Sequence, residues 1–195
     1  MNGLHVINLS VTRGDRTVLK ALDFRVEAGD VLHVQGRNGA GKTTLLEVLS
    51  GLRPPAQGRI EPRPAADTLH WLGHRNGLHP ALSPQENLHY WCRLHGVSGQ
   101  GVDAALQRLG LHRQRHRPSG KLSMGQRRRA ALARLLAVPR PWWILDEPLA
   151  GLDIGATELV AGLLAEHSAS GGAALVSSHQ PFPYPIPGLR DLVLA

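Results

Sequence analysis

A glycine-rich segment with one lysine, residues 36–43, carries the groups best suited to bind a polyphosphate. It reads Gly-Arg-Asn-Gly-Ala-Gly-Lys-Thr and fits the pattern G-x-x-x-x-G-K-[ST]. Glycines let backbone N–H groups converge on phosphate oxygens, and a following helix adds the positive end of its dipole. We expect Lys42 to reach the β- and γ-phosphates and the Thr43 hydroxyl to bind Mg²⁺. The predicted nucleotide-binding residues are Gly36, Arg37, Asn38, Gly39, Ala40, Gly41, Lys42, Thr43 and Thr44.

Two adjacent carboxylates follow a run of four apolar residues at 142–145. Such a run predicts a buried strand, which would fix its acidic end beside the glycine loop. Asp146 would complete the Mg²⁺ shell, and Glu147 would orient or polarise an attacking water. Together with the glycine loop, this pattern predicts hydrolysis of a nucleoside triphosphate.

Two further polar residues are placed by their distance from these motifs. His179 follows a predicted strand and is expected to contact a γ-phosphate, so the predicted catalytic residues are Lys42, Glu147 and His179. Asp153, in the segment Leu-Ala-Gly-Leu-Asp at 149–153, is expected at a contact between subunits. A lone histidine is weak evidence, and only its position among the other motifs favours this role.

A second helix start with phosphate-binding character lies at residues 122–126. The segment consists of Leu122, Ser123, Met124, Gly125 and Gln126. Its serine and the neighbouring N–H groups could bind a phosphate, although an ordinary N-terminal cap has the same composition. The glycine loop of the same chain does not require a second helix start to bind its phosphates. A helix start of this kind could instead bind the nucleotide held by the glycine loop of a partner subunit.

The elements that must position these residues alternate between strand and helix. Alternation of this kind predicts a mostly parallel sheet, with ligands beyond the carboxyl ends of its strands. Residues 53–67 are expected to form loops and short edge strands, and the prolines of 181–187 require extended chain. The predicted strands cover 4–11, 17–27, 31–34, 69–72, 142–145 and 173–177, and the predicted helices cover 42–50, 84–95, 102–110, 124–138 and 154–169.

Residues 78–120 differ in character from the rest and predict a small helical subdomain inserted into the α/β core. Ser83, Pro84 and Glu86 form a helix start with a capping serine. We therefore expect one domain over 1–195, with 1–77 and 121–195 in the core and the helix of 122–126 running on to about residue 138.

Composition narrows the class of protein further. The formal net charge of +7 permits contact with nucleic acid or an anionic membrane, although a solvated surface is the favoured explanation. The one cysteine, Cys92, cannot form an internal disulfide. Neither a signal peptide nor a membrane span is recognisable, so we expect a cytoplasmic location.

In their order and spacing these motifs resemble the ATP-binding cassette (ABC) ATPases over nearly the whole chain. The resemblance implies a P-loop NTPase fold, with a RecA-like parallel-sheet core, an antiparallel β edge and a small α-helical subdomain. It implies ATP and Mg²⁺ as cofactors, and a homodimer that binds two ATP molecules between the glycine loop of one subunit and residues 122–126 of the other. A membrane permease is the usual partner.

A closer resemblance is to the heme-exporter ATPase subunits of bacterial cytochrome c maturation systems. It rests on four segments, which are 72–74, 82–88, 125–135 and 178–180. It implies heme export or heme release for c-type cytochromes, and partners that include the heme-exporter B subunit and other cytochrome c maturation proteins. It also implies peripheral attachment to the cytoplasmic face of the bacterial inner membrane. We expect no direct heme binding and no nucleic acid partner.

The chain departs from the family at three positions. Arg75 stands where the family has a glutamine that joins Mg²⁺, and arginine cannot bind a metal; Asn76 or His74 could substitute. Met124 replaces glycine or alanine and could crowd the partner's nucleotide. Arg13 replaces an aromatic residue that stacks on adenine, a role its guanidinium plane could share.

Other functions stay open at this stage. The chain could serve another exporter, or it could be a non-transport ABC ATPase that acts on nucleic acid or ribosomes, as its arginines at 108–117 and 127–129 suggest. Its eleven histidines also raise direct heme binding, although scattered surface and core histidines explain them better.

Overall fold

Two β-sheets enclose a helix that starts at the glycine loop, in a computed structural model that describes residues 3–194. The strands are β1 (Leu4–Arg13), β2 (Arg16–Val26), β3 (Val31–Gly36), β4 (Gln57–Glu61), β5 (Leu69–Leu72), β6 (Trp142–Asp146), β7 (Ala173–Ser177) and β8 (Leu189–Leu194). The helices are α1 (Lys42–Leu49), α2 (Pro84–Leu94), α3 (Val102–Arg108), α4 (Met124–Ala137) and α5 (Ile154–Ala169).

The larger sheet has the strand order β5-β6-β7-β3-β8, and all its neighbouring strands are parallel. The strands β6 and β7 are buried along their whole length and are apolar up to their last residue, because helices or the second sheet cover both faces. The glycine loop, Asp146 and Ser177 all lie at the carboxyl ends of these strands. The predicted α/β fold with a parallel sheet is therefore confirmed.

The strand β8 was not predicted from the sequence. It pairs with β3 over six registered residues, from Val31 opposite Leu189 to Gly36 opposite Leu194. Most of its side chains are exposed or half-buried, so it lacks the apolar run by which the other parallel strands were found. The preceding segment 181–187 contains no helix, as its prolines predicted, and it belongs to no strand.

The smaller sheet is antiparallel, with the order β2-β1-β4, and forms the predicted β edge. Its inner face packs on α1 and on one face of the parallel sheet, in a core that includes Leu9, Leu45, Leu46 and Ile144. Burial of each such side chain contributes about 1.5–3 kcal/mol relative to exposure. This core holds α1 and the glycine loop rigidly against the sheet.

Helices α2, α3 and α4 pack on one another and join the core on the sheet's other face. The predicted capping box at Ser83 is confirmed: its hydroxyl accepts from the N–H of Glu86, and its own N–H donates to that carboxylate.

The subdomain limits of 78 and 120 stay a prediction, and the domain limits of 1 and 195 lie outside the described residues. Within the described part of the chain, no helix has the length and apolar character needed to cross a bilayer.

Candidate functional site

The glycine loop connects the end of β3 to the start of α1, as its sequence predicts. Gly36 has a φ of 147°, and a Cβ atom there would lie 2.8 Å from the carbonyl oxygen of Leu194. A side chain at this position would therefore collide with β8. The absence of a side chain at Gly36 therefore allows β8 to pack closely against the start of the glycine loop.

The side chain of Lys42 is buried against its own loop. Its ammonium donates hydrogen bonds to the carbonyl oxygens of Gly36, at 2.8 Å, and of Arg37, at 3.1 Å. Because the ammonium has three donors, these bonds leave one donor for another acceptor. The lysine is thus held beside the loop where a phosphate oxygen would bind.

Asp146 lies at the centre of a hydrogen-bond network at the sheet's carboxyl edge. Thr43 Oγ1 donates to its Oδ2 at 2.9 Å, and Ser177 Oγ donates to its Oδ1 at 2.6 Å. The hydroxyl of Thr43 and the carboxylate are hard oxygen ligands of the kind that Mg²⁺ prefers beside phosphates. The two residues predicted to hold the metal lie in contact and fit that ion.

Glu147 adopts a φ of 52°, which is uncommon for a residue other than glycine. Its N–H donates to the carbonyl and to the hydroxyl of Ser177, at 3.1 and 3.0 Å. Its Oε1 has no hydrogen-bond partner among the described residues, although Nε2 of His179 lies 3.5 Å away. The backbone N–H of His179 donates to Oε2 at 3.3 Å. One carboxylate oxygen is thus buried without a hydrogen-bond partner among the described residues.

A cavity of about 190 Å³ brings most of the predicted site together. It joins the glycine loop to the acidic strand end and to the histidine beyond β7. Its lining residues are Arg13, Val18, Asn38, Gly39, Gly41, Lys42, Thr43, Thr44, Glu147 and His179. The cavity thus brings together Arg13, the glycine loop and Glu147, whose roles towards the base and the terminal phosphate stay predictions.

Residues 122–126 are absent from the lining of this cavity within the described chain. Ser123 caps α4: its hydroxyl accepts from the N–H of Gln126 at 3.2 Å, and its own N–H donates to Gln126 Oε1 at 3.0 Å. Leu122 is buried, whereas Met124 is exposed. A Cβ atom on Gly125 would lie 2.9 Å from the carbonyl oxygen of Gly151, so α4 begins in close contact with the loop after β6.

Asp153 also lies outside the glycine-loop cavity as described. It caps α5, where its Oδ1 accepts a 2.8 Å hydrogen bond from the N–H of Ala156. The side chain and the following Ile154 are both exposed. Its predicted place at a contact between subunits stays a prediction.

A second cavity of about 510 Å³ lies on the other side of Glu147 and contains Arg75, Met124 and Arg127 in its wall. Arg75 does not line the glycine-loop cavity. Asn76, one of the two residues that could replace the missing glutamine, accepts a 3.0 Å hydrogen bond from Arg128 through its Oδ1.

Two residues of the site were missed in the sequence. Ser177 ends the apolar strand β7, and a polar residue at that place was the available signal. Arg128 lies one helical turn from Leu132 on the buried side of α4, where an arginine interrupts an apolar pattern. Both hold the ends of strands rather than a ligand, which is why no binding motif pointed to them.

Comparison with known proteins supports the geometry. Residues 19–150 match the family described as ABC transporter. The cytochrome c biogenesis ATP-binding export protein CcmA of Paramagnetospirillum magneticum is 42% identical over 96% of this chain and 91% of its own length. The protein of the same name from Mesorhizobium japonicum is 44% identical over 89% of this chain and 90% of its own length.

Solved structures give the same result for the fold. An ABC transporter ATP-binding protein from Pyrococcus furiosus superposes with a TM-score of 0.86 at 26% identity, covering 99% of this chain and 98% of its own. The ATP-binding subunit of another ABC transporter superposes with a TM-score of 0.81 at 25% identity, covering 90% of this chain and 79% of its own.

Proposed function

Because the chain belongs to the ABC transporter family, we propose that it powers an export complex of c-type cytochrome biogenesis, with heme as the exported or released group. Its activity is the hydrolysis of ATP to ADP and phosphate. The observation that carries the proposal is its 42–44% identity, over most of both chains, to export ATPases of cytochrome c biogenesis.

The residues of the glycine loop bind and orient the phosphates. The charge of Lys42 attracts both the β- and the γ-phosphate, and the one donor that its loop carbonyls leave open bonds one of their oxygens. Thr43 and Asp146 would hold Mg²⁺. When bound there, the ion neutralises charge that develops on the phosphoryl oxygens.

Glu147 and His179 act on the terminal phosphate. The free Oε1 of Glu147 accepts a hydrogen bond from water and takes its proton as the water oxygen attacks phosphorus and the bond to ADP breaks. His179, 3.5 Å from that oxygen, orients the carboxylate and contacts the γ-phosphate. The low exposure of Asp146 keeps its carboxylate fixed while this occurs.

We propose that a second copy of the chain completes the site. Residues 122–126 do not line the glycine-loop cavity of their own chain. The first N–H groups of α4, at Met124 and Gly125, have no acceptor within the helix and would bind the partner's nucleotide. The hydroxyl of Ser123, which accepts a hydrogen bond from the N–H of Gln126, would donate its own hydrogen to a phosphate oxygen. Asp153, exposed at the start of α5, would lie at the same contact between subunits.

In this proposal the dimer attaches to a membrane permease at the cytoplasmic face of the bacterial inner membrane. The permease would be the heme-exporter B subunit, with other cytochrome c maturation proteins in the complex. Closure of the dimer on ATP would drive the permease, and hydrolysis would reopen it.

ATP hydrolysis by the purified chain tests the shared site. We expect the rate per subunit to rise with protein concentration, because each copy supplies half of each site. Glu147→Gln should reduce the rate by about 10²–10⁴-fold while ATP still binds. A rate per subunit that is independent of concentration would argue against the dimer.

Complementation tests the export role. The gene for this chain, expressed in a strain of Paramagnetospirillum magneticum without its CcmA, should restore c-type cytochromes, whereas the Glu147→Gln form should not. Robust ATP hydrolysis in vitro without any restored cytochrome would instead assign the chain to a different exporter.

A further inference from the structure

The guanidinium of Arg128 is buried in the described structure, with only 3% of the residue exposed, and it lies among backbone carbonyls. An arginine has five N–H donors in a fixed plane, and each of these five has an acceptor. Nε donates to Pro148 O at 3.4 Å; Nη1 donates to Gly73 O at 2.9 Å and Asn76 Oδ1 at 3.0 Å; Nη2 donates to Asp146 O at 2.6 Å and Glu147 O at 2.9 Å.

These bonds connect three segments that are distant in sequence. Arg128 itself belongs to α4, whose first residues are proposed to bind the partner's nucleotide. Gly73 and Asn76 belong to the loop that follows β5, and the three carbonyls of 146–148 lie at the end of β6 and just after it. The start of α4, the loop of 73–76 and the acidic strand end are therefore fixed to a single side chain.

The charge of Arg128 strengthens this connection. Burial lowers the pKa of Arg128 to about 10, while the nearby charges of Asp146 and Glu147 oppose that shift. The group is still cationic at neutral pH, and hydrogen bonds from a charged donor are stronger than neutral ones. Movement of either loop away from this cation would leave it buried without acceptors, which is costly.

Glu147 is the residue most affected, because its backbone is held in an uncommon conformation. Its φ of 52° lies in the left-handed region. Ser177 accepts its N–H, and Arg128 donates to its carbonyl oxygen. The two contacts hold the residue from both sides and so fix the direction of its carboxylate.

We propose that Arg128 is a positioning residue for Glu147, through which α4 and the loop of 73–76 control the placement of the carboxylate. The proposal rests on the proposed function, since it assigns Glu147 its role in hydrolysis. It predicts that a change in the position of the start of α4 also changes the rate of hydrolysis.

Steady-state kinetics of Arg128→Gln test the effect on hydrolysis. The maximal rate should fall by about a hundredfold, as expected for a catalytic group displaced by about 1 Å, while the affinity for ATP stays within about threefold. Arg129→Gln is the matched control, because Arg129 lies on the same helix and donates to the carbonyls of Leu109 and Gly110 instead. A maximal rate of Arg128→Gln within twofold of the unmodified chain would overturn the proposal.

A double-mutant cycle separates positioning from general damage. If Arg128 acts through Glu147, Arg128→Gln should lower the residual rate of Glu147→Gln by less than about twofold. A full additional hundredfold loss would show that Arg128 acts independently of Glu147. Arg128→Lys, which keeps the charge with fewer donors, should give an intermediate rate.

Amide hydrogen exchange tests the connection without any turnover. In Arg128→Gln, exchange should accelerate both at 146–148 and at 73–77, whereas Arg129→Gln should change neither. Faster exchange in only one of the two segments would contradict the connection. If Arg128→Gln does not fold, Asn76→Ala removes one acceptor and should give the same paired acceleration to a smaller extent.

The outcomes distinguish this proposal from the proposed function. A chain that binds no ATP would contradict the proposed function. A chain that binds and hydrolyses ATP, but is indifferent to Arg128→Gln, would contradict only the role of Arg128.

Discussion

The hydroxyl of Thr43 donates a 2.9 Å hydrogen bond to Oδ2 of Asp146, although 103 residues separate the two in sequence. The bond joins the first turn of α1 to the end of β6. Each residue offers one side-chain oxygen. The two oxygens could serve as the protein ligands of a metal ion that also binds the phosphates of the nucleotide. The pair thus connects phosphate binding with the carboxylate chemistry of the next residue, Glu147.

Thr43→Ala should therefore raise the Mg²⁺ concentration that gives half-maximal ATP hydrolysis. Loss of an interaction with a charged group costs about 1.5–3 kcal/mol, which corresponds to roughly 10–100-fold. Thr43→Ser keeps the hydroxyl and should stay near the unmodified value. A Mg²⁺ titration in which the alanine and serine variants coincide would exclude the hydroxyl as a metal ligand.

Met124→Ala should lower the ATP concentration needed for half-maximal hydrolysis by roughly tenfold. The methionine is 61% exposed at the start of α4, where a partner's phosphate would approach the free N–H groups. Removing it relieves a steric conflict worth about 1–2 kcal/mol. Leu94→Ala, an equally exposed apolar side chain on α2, serves as the control. The same ATP dependence in all three proteins would refute crowding by Met124.

Arg13→Tyr should tighten nucleotide binding by about tenfold, for ATP and GTP alike. Arg13 lines the glycine-loop cavity, and stacking of a base on an aromatic ring is worth about 1–3 kcal/mol. Stacking does not depend on the identity of the base, so the ratio of the two affinities should stay constant. Arg16→Tyr, opposite Arg13 on β2, should leave binding unchanged. Calorimetric titration with each nucleotide provides the measurement.

His70 should make the protein less stable in mild acid. Burial lowers the pKa of His70 to about 4, partly offset by its bond to the Val138 carbonyl, and the charges of Arg140, His95 and Arg134 act in the same direction as burial. Since the folded pKa lies below the unfolded value of 6.5, the unfolded chain binds the additional proton. The stabilisation is complete above pH 6.5 and is lost as the pH falls towards 4.

Between pH 7.5 and 5, this one residue should reduce the free energy of unfolding by about 2 kcal/mol. Urea titrations at the two pH values should show a smaller difference for His70→Gln than for the unmodified chain. The exposed His116→Gln should retain the full difference. Burial also lowers the pKa of His95 and His167, so a smaller pH dependence should persist in His70→Gln.

The sequence predicted the parts of the site that are local in the chain. The apolar run of 142–145 followed by Asp146 predicted β6 and the place of its carboxylate, and the glycine pattern predicted the loop before α1. In both cases, the burial of a continuous segment and the chemistry of its last residues indicate the same position in the fold. The role of Asn76 could not be predicted in this way, because its hydrogen bond to Arg128 joins segments that are far apart in sequence.

The remaining features depend on contacts between distant segments. The strand β8 is held by main-chain bonds to β3, and its exposed Arg190 and Asp191 resemble those of a surface loop. The buried Arg128 finds its five acceptors on two separate loops, which spacing along the chain does not reveal. The role of Ser177 likewise depends on the neighbouring strand β6 rather than on its own.

The order of strands in the parallel sheet also sets the order in which the protein can mature during synthesis. The strand that carries the glycine loop lies between β7 and β8, and both are made long after it. From residue 36 to residue 189, a ribosome adding about 5–20 residues per second needs roughly 10–30 s. Until β7 is made, both edges of β3 are unpaired on the nascent chain, and the edge that pairs with β8 stays open until residue 189. The glycine loop, the first motif to be translated, is therefore among the last parts of the site to be supported by both neighbouring strands.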